Sequence, residues 1–554
     1  MARIGLTPWA ILFAGVCAAA VGCKHSPTAS PEAATAQGAG DEDAPPAPPP
    51  LPADAARIWS ISLKTEILEH PDPKARVLGY LRLGQSLRRT TEPAKDGVKC
   101  DGGWYQVEPR GYVCRDETVG KDGTGGATLD PANKIVKALG YPPDLTKAMP
   151  YRYGFVRRDA TLWNFLPTYK EMDKYEFAFQ GWLKEYAHDH KKLNTLEHSD
   201  PNDVPVDAKG NPKMLPKDVP PMPPPLDESQ LFPNYGDGEV PWWLVNTHPG
   251  YRDAVKRHIP NISTYDAPFA SPYRGKAFRH AGLAVIGSFK TGKYSDNRKF
   301  TVALDGRLIA EDKIKPHIAS PFHGINLEAE GAPKFPFAIV RRHDAFEYGP
   351  AATVKGKKLG FRDIIPLTGK SQMRGTKYYF ESKSNGWLHE DDVGVLDYPS
   401  EKPKSFDWKT TKWIDVSITF QTLVLYEGEK PVYATLVSTG RDGDGDPFTT
   451  KSTIRGEFRI DYKHITTTMD ADDPENRFEL RDVPWVQYFE QGFAIHAAYW
   501  HDDFGRPRSH GCVNMAPVDA RRVFFWTDPP LPDGWHGVKS GASMGQGTWV
   551  RVRR

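Results

Sequence analysis

From Trp413 onward the chain alternates in hydrophobicity with a period of two. Ile414, Val416, Ile418 and Phe420 are separated by polar or turn residues, the signature of a half-buried strand. Gln421-Thr422-Leu423-Val424-Leu425-Tyr426 follows, then a turn at Glu427-Gly428-Glu429-Lys430, then Pro431 to Gly440. Two β-rich runs joined by a glycine turn predict a hairpin. Further β-type runs lie at Gly456-Glu457-Phe458-Arg459-Ile460 and Gly492-Phe493-Ala494-Ile495-His496. After Asn514, Pro517 is placed to open a short helix through Phe525, because a first turn tolerates proline. The region 411–554 therefore reads as mostly β with one short helix.

Earlier parts of the chain show the same period in shorter pieces. Val77 to Gly84 and Gly102 to Val107 are runs of this kind, and their spacing predicts a small β-barrel over 57–117. Residues 118–278 are less regular. Tyr175 to Tyr186 has the pattern of an amphipathic helix, and Pro216 to Pro225 forms a proline-rich linker. β-type runs return over 279–400, ending in Tyr378-Tyr379-Phe380 and Asn385-Gly386-Trp387-Leu388-His389. That ending echoes Gly103-Trp104-Tyr105 and suggests a second barrel-like unit near 336–397. The N-terminus has another character: a positive start at Arg3, an apolar run from Trp9 to Val16, then small residues. This predicts a secretory signal peptide over 1–22, too short for a secure membrane span. A Pro/Ala-rich, disordered tether over 23–56 follows. The fold class is multidomain and mainly β.

Charge excludes one class of partner. Lys and Arg (72) nearly balance Asp and Glu (70) for a net charge of +2, which offers no basic excess for a nucleic acid. Cysteine usage is more informative. Of the five, Cys17 leaves with the signal, and Cys100 and Cys114 lie on what read as adjacent strands, a disulfide in an oxidising compartment. With Cys23 set aside at the end of the signal segment, Cys512 is left as an unpaired thiol, either an activated nucleophile or an inert buried cysteine.

The surroundings of Cys512 bear on that choice. A thiol attacks as thiolate, and His496 and His510 are candidate bases. The turn Ser509-His510-Gly511-Cys512-Val513-Asn514 allows close backbone approach at Gly511 and can aim successive N–H groups at one point. Nucleophile, base and oxyanion donors together are what acyl transfer through a thioester requires. A zinc site from His496, His510 and Cys512 lacks a fourth ligand. Asp442-Gly443-Asp444-Gly445-Asp446 resembles the start of a calcium loop, but Pro447 occupies the sixth position and Thr453 the place of the bidentate Glu. It reads as a solvated turn, so no metal and no cofactor are expected. His501-Asp502-Asp503 is either loop surface or a substrate-facing rim; Tyr499 and Trp500 read as packing residues or rim.

Three resemblances go further. Ala20-Val21-Gly22-Cys23 resembles a bacterial lipobox, which implies cleavage before Cys23 and lipidation of its thiol; the alternative is an ordinary cleavage site with an incidental cysteine. Lys24 stands where an inner-membrane retention signal places Asp, which favours a periplasmic protein anchored in the outer membrane. Residues 57–117 resemble a bacterial SH3-like domain, implying either wall binding or a structural spacer. Ile495-His496 with Ser509-His510-Gly511-Cys512-Val513-Asn514 looks like the signature of the L,D-transpeptidase (YkuD-type) catalytic domain. That likeness extends through Ile414-Asp415-Val416, Gln421, Leu423, Tyr426, Pro431-Val432, Val437 to Gly440 and Gly456-Glu457-Phe458, and covers about 411–554. It implies that Cys512 attacks a peptidoglycan tetrapeptide stem and releases D-Ala, with His496 as base held by a main-chain carbonyl. Gly511 and Cys512 N–H groups would face the oxyanion, and Ser509, His510 and Asn514 would brace the turn. The acceptor is an amine of another stem, giving a 3→3 cross-link, of a lipoprotein to be tethered to the wall, or of a free D-amino acid; water would make the enzyme a carboxypeptidase. The competing reading is an inactive wall-binding scaffold.

Overall fold

The computed structural model describes residues 48–119, 125–133, 136, 140–163, 166–176, 178–181, 183–184, 273–290, 298–316, 319–349, 352, 354–471, 478–541 and 543–554. The signal peptide, Cys23, the tether up to 47 and the proline-rich linker at 216–225 lie outside the described residues. The last tether residues are described: Leu51 N–H donates to Glu108 Oε1 at 2.6 Å.

Two sheets frame the C-terminal region. The first has six strands in the order Ile325–Asn326, Lys430–Leu436, Thr422–Glu427, Lys412–Ser417, Trp549–Arg553, Gly456–Arg459. The predicted hairpin pairs Thr422 with Leu436 and Glu427 with Lys430. The Lys412–Ser417 strand differs from the half-buried pattern expected of it, because Trp413 to Ser417 are all buried. Both of its faces are covered. Ile414 and Val416 pack into a core with Val523 and Phe524 of the Pro517–Trp526 helix, while Trp413 stacks on Tyr426 at 4.3 Å in a second core. Buried Asp415 sits between Arg551 and Arg553, with Arg553 Nε 2.8 Å from its Oδ2. A charge at that depth has to be paired.

The second sheet carries the long Tyr462–Ala471 and Phe478–Glu490 strands, then Phe493–Ala497 and Val513–Met515. It does not stop at the C-terminal region. On one side Gly537–Lys539 pairs with Val77–Leu81, and on the other Phe478–Glu490 pairs in parallel with Gly282–Lys290. Strands from three stretches of the chain thus form one hydrogen-bonded sheet of sixteen. A linear string of separate units does not describe this arrangement.

Over 57–117, short strands run from Arg57–Ser60 to Tyr112–Cys114, and Cys100 is disulfide-bonded to Cys114. No closed barrel forms among the described residues: Arg57–Ser60 pairs with Ser86–Arg88 in a separate four-stranded sheet, while Thr65–Leu68 joins the large one. The core of this region includes Trp535 and Val538 from the other end of the chain, and Trp535 Nε1–H donates to Glu108 O at 2.8 Å. The contact depends on Gly79. A Cβ there would lie 2.2 Å from Gly537 O and 2.4 Å from the Trp535 ring. Gly79→Ala should therefore destabilise the protein by about 1–3 kcal/mol, read as a lowered Tm in calorimetry; an unchanged Tm would mean that this docking contributes nothing.

The helix expected over 175–186 is met in part: residues 179–181 and 183–184 are helical, while 177, 182 and 185–186 lie outside the described residues. A capping box of Thr168 and Glu171 starts a helix at Tyr169–Tyr175, Glu176 ends it, and the backbone of Ala178 turns to φ 51° before helical residues resume at 179. Glu176 is buried with Asp312 around Arg298, at 2.7 Å from each. Residues 337–396 form a seven-stranded antiparallel sheet in which the first strand, Phe337–Val340, pairs with the last, Val393–Leu396. Among the described residues no helix is long and apolar enough to cross a membrane.

Candidate active site

The site is built on one parallel strand pair. Val513–Met515 runs beside Phe493–Ala497 with Ile495 opposite Val513 and His496 opposite Asn514. Cys512 immediately precedes Val513, so continuing the register puts it opposite Ala494, two residues from His496 and, by strand alternation, on the same face. Cys512 is a free cysteine, 6% exposed, and its S–H donates to Gly492 O at 3.6 Å. A thiol attacks as thiolate, so its proton has to be taken by a base. Gly511 before it has φ 134°, and a Cβ there would meet the Phe493 ring at 2.9 Å. The tight approach requires glycine.

Ser509 fastens the turn from inside. Its Oγ–H donates to Cys512 O at 2.5 Å, and its Oγ accepts the Gly511 N–H at 3.0 Å. Gly511 N–H, expected to face the oxyanion, is thus engaged within the turn, and Gly511 acts through its backbone shape. The turn is held from outside by the Ser438 to Arg441 segment. Ser438 and Asn514 exchange both backbone bonds at 2.9 Å, Ser509 N–H donates to Thr439 O at 3.0 Å, and Arg441 N–H donates to Ser509 O at 3.0 Å. Gln421 in turn clamps Thr439. Its Oε1 accepts the Thr439 N–H at 2.8 Å, and its Nε2 donates to Thr439 Oγ1 and Ile418 O, both at 2.6 Å.

His496 is buried, and Nδ1 lies 3.1 Å from Ala497 O. A carbonyl only accepts, so Nδ1 carries the proton and Nε2 keeps its lone pair. Burial pulls the imidazole down to about 4, against a smaller opposing effect of the Ala497 hydrogen bond. The ring is neutral at pH 7 and competent as a base. Trp500 packs beside it, ring centroids 5.7 Å apart.

His501 was expected on a loop surface or rim, and the structure buries it. Its Nδ1 accepts the Asp503 N–H at 3.2 Å, and its Nε2 lies 3.1 Å from the Asn514 amide. Burial, then Arg508, brings its imidazole down to about 3, so the ring is neutral. With Nδ1 accepting, Nε2 carries the proton and faces Asn514 Nδ2; exchanging the amide's N and O gives Nε2–H an acceptor and gives buried Oδ1 the partner it lacks. Asp502 is likewise internal, bound to Arg362. The only signal for this pair in the sequence was their place between His496 and Cys512. Tyr499 is fully buried against Tyr153 at 4.6 Å, a packing role. The Asp442 to Asp446 carboxylates serve local turns and ion pairs: Asp442 accepts Lys451 N–H, Asp446 accepts Phe448 N–H, and Asp444 faces Arg455 and Arg554. Among the described residues no group of three or more His, Cys, Asp or Glu side chains is placed to hold a metal ion.

Residues 411–552, about a quarter of the chain, match the YkuD family model, the L,D-transpeptidase catalytic domain. No curated protein matches the chain. Among solved structures, the catalytic domain of an L,D-transpeptidase from E. faecium is 21% identical over 26% of this chain and 98% of its own, with a TM-score of 0.20. An L,D-transpeptidase from Stackebrandtia nassauensis is 23% identical over 28% of this chain and 59% of its own, with a TM-score of 0.19. L,D-transpeptidase 3 from Mycobacterium tuberculosis, solved with a faropenem-derived adduct, is 16% identical over 34% of this chain and 78% of its own, with a TM-score of 0.19.

Proposed function

With residues 411–552 as an L,D-transpeptidase catalytic domain, we propose that the protein is a peptidoglycan L,D-transpeptidase in which Cys512 is the nucleophile and His496 the base. The observation that supports this reading is a buried, neutral His496 lying two residues from Cys512 in the register of one parallel strand pair. His496 Nε2 takes the thiol proton, and Sγ attacks the carbonyl between the third and fourth residues of a tetrapeptide stem. The C–N bond breaks, the proton passes to the departing amine, and D-Ala leaves behind a thioester. An acceptor amine then attacks the thioester, giving up a proton to His496 as the C–S bond breaks, and the thiol re-forms. No cofactor enters this cycle.

The acceptor is a stem peptide, giving 3→3 cross-links, or a lipoprotein joined to the wall. The lipobox-like Cys23 accords with a periplasmic chain held by lipid in the outer membrane, where the substrate lies. The test is incubation of the purified chain with disaccharide tetrapeptides followed by mass spectrometry. Loss of one D-Ala with formation of dimers is expected. Loss of D-Ala without dimers would identify a carboxypeptidase, and loss of neither would leave the wall-binding scaffold.

A further inference from the structure

The loop between His496 and Cys512 is gripped by side chains from a distant part of the chain. Arg362, in the turn before the Ile364–Arg374 strand of the seven-stranded sheet, donates through Nη2 to Asp502 Oδ1 at 2.7 Å and to Asp502 O at 2.8 Å. Its guanidinium lies over the Phe322 ring at 3.9 Å and the Phe361 ring at 4.6 Å, which fixes its plane. Ser320 Oγ also donates to Asp502 Oδ1. Asp502 is thus held from two directions while almost fully enclosed, at 8% side-chain exposure. Arg341 of the same sheet donates to Gly505 O at 3.1 Å and to Phe420 O at 3.2 Å, securing the far end of the loop.

The residue before Asp502 is His501, whose ring touches Asn514. Asn514 is opposite His496 and two residues from Cys512. We propose that Arg362 and Asp502 are positioning residues for Cys512, acting through His501 and the Asn514 amide, so that the 337–396 sheet sets the reactivity of the thiol. This rests on Cys512 as the reactive group of the reading above. None of the four touches the thiol as a proton carrier: His501 is spent on two hydrogen bonds and stays neutral. Loss of the Arg362 ion pair frees the loop, His501 loses its fixed place, and Asn514 loses the contact that orients its end of the turn. A displacement of this kind far from the reacting atoms is costly because the attack geometry is narrow.

The experiment measures the rate at which iodoacetamide alkylates Cys512 in the full chain, followed by intact mass, beside D-Ala release from disaccharide tetrapeptides. Arg362→Ala should slow alkylation by roughly 10-fold or more, with kcat for D-Ala release falling further than KM rises. Arg362→Lys, which keeps the charge and a donor, should recover most of the rate. In an Asn514→Ala background the Arg362→Ala change should have almost no further effect, because the two act along one path. Should Arg362→Ala fail to fold, Asp502→Asn removes the charge at constant shape and serves in the same cycle. Multiplying effects in the double variant, or an alkylation rate unmoved by Arg362→Ala, would overturn the proposal. If the wild-type chain releases no D-Ala yet alkylation follows the expected pattern, the positioning role stands and the transpeptidase reading fails.

Discussion

Cys512→Ala should abolish both D-Ala release and cross-linking, and no carbapenem adduct should form on the intact protein. The effect is the largest expected of any single substitution, because covalent catalysis passes every turnover through one sulfur. The disulfide removes Cys100 and Cys114 from consideration, and Cys512 is the free thiol among the described residues. The substitution is also structurally mild. Cys512 packs at the margin of a core with Ala494 and Tyr499, so trimming it to alanine removes one sulfur and leaves the Ser509 bonds to backbone in place. Melting should change by less than about 1–2 kcal/mol, separating lost chemistry from lost folding. An adduct of carbapenem mass on the Cys512→Ala protein would defeat the assignment.

How much of this was legible in the sequence depends on range. The Ser509 to Asn514 turn was, because its bracing is local: Ser509 reaches Gly511 and Cys512 within three residues. The hairpin and the helix after Pro517 were legible for the same reason, through turn and cap residues. The occupied Gly511 N–H was not, since spacing shows that an amide is near but not which acceptor takes it. Alternation at Ile414, Val416 and Ile418 suggested one covered face, yet Trp413 and Asp415 are buried too, covered by aromatic rings and by arginines of the far C-terminus.

The largest gap concerns long-range pairing. Val77–Leu81 meets Gly537–Lys539 across most of the chain, and Arg362 meets Asp502 at a separation of 140 residues. Periodicity assigns each strand a face but carries no information about its neighbour. His501 illustrates the consequence. Flanked by two aspartates, it looked like loop surface, and only the arrival of Arg362 and Phe322 from elsewhere makes that segment internal. The likeness to a transpeptidase domain, over about 411–554, pointed to Cys512 without showing what holds the loop beside it.

His496→Gln should slow acylation of Cys512 by about 10²–10⁴-fold, and the wild-type rate should keep its value from neutral pH down to about 4 before falling. The two expectations share one cause. Burial lowers the imidazole from 6.5 to about 4, so the proton-accepting form persists through mildly acidic solution. Below that pH the ring is charged and cannot take the thiol proton. The same shift acts on stability, with a definite sign. The folded-state pKa lies below the unfolded value, so the unfolded chain binds this proton first as pH falls. The contribution of the neutral ring is complete above pH 6.5 and is lost as pH falls toward the folded value of about 4, at about 1.4 kcal/mol per pH unit. Glutamine does not titrate, so the unfolding free energy of His496→Gln should fall less steeply over that interval than that of the wild type. An acid limb near pH 6.5 would show a solvated imidazole instead, and the role of general base would then pass to His510.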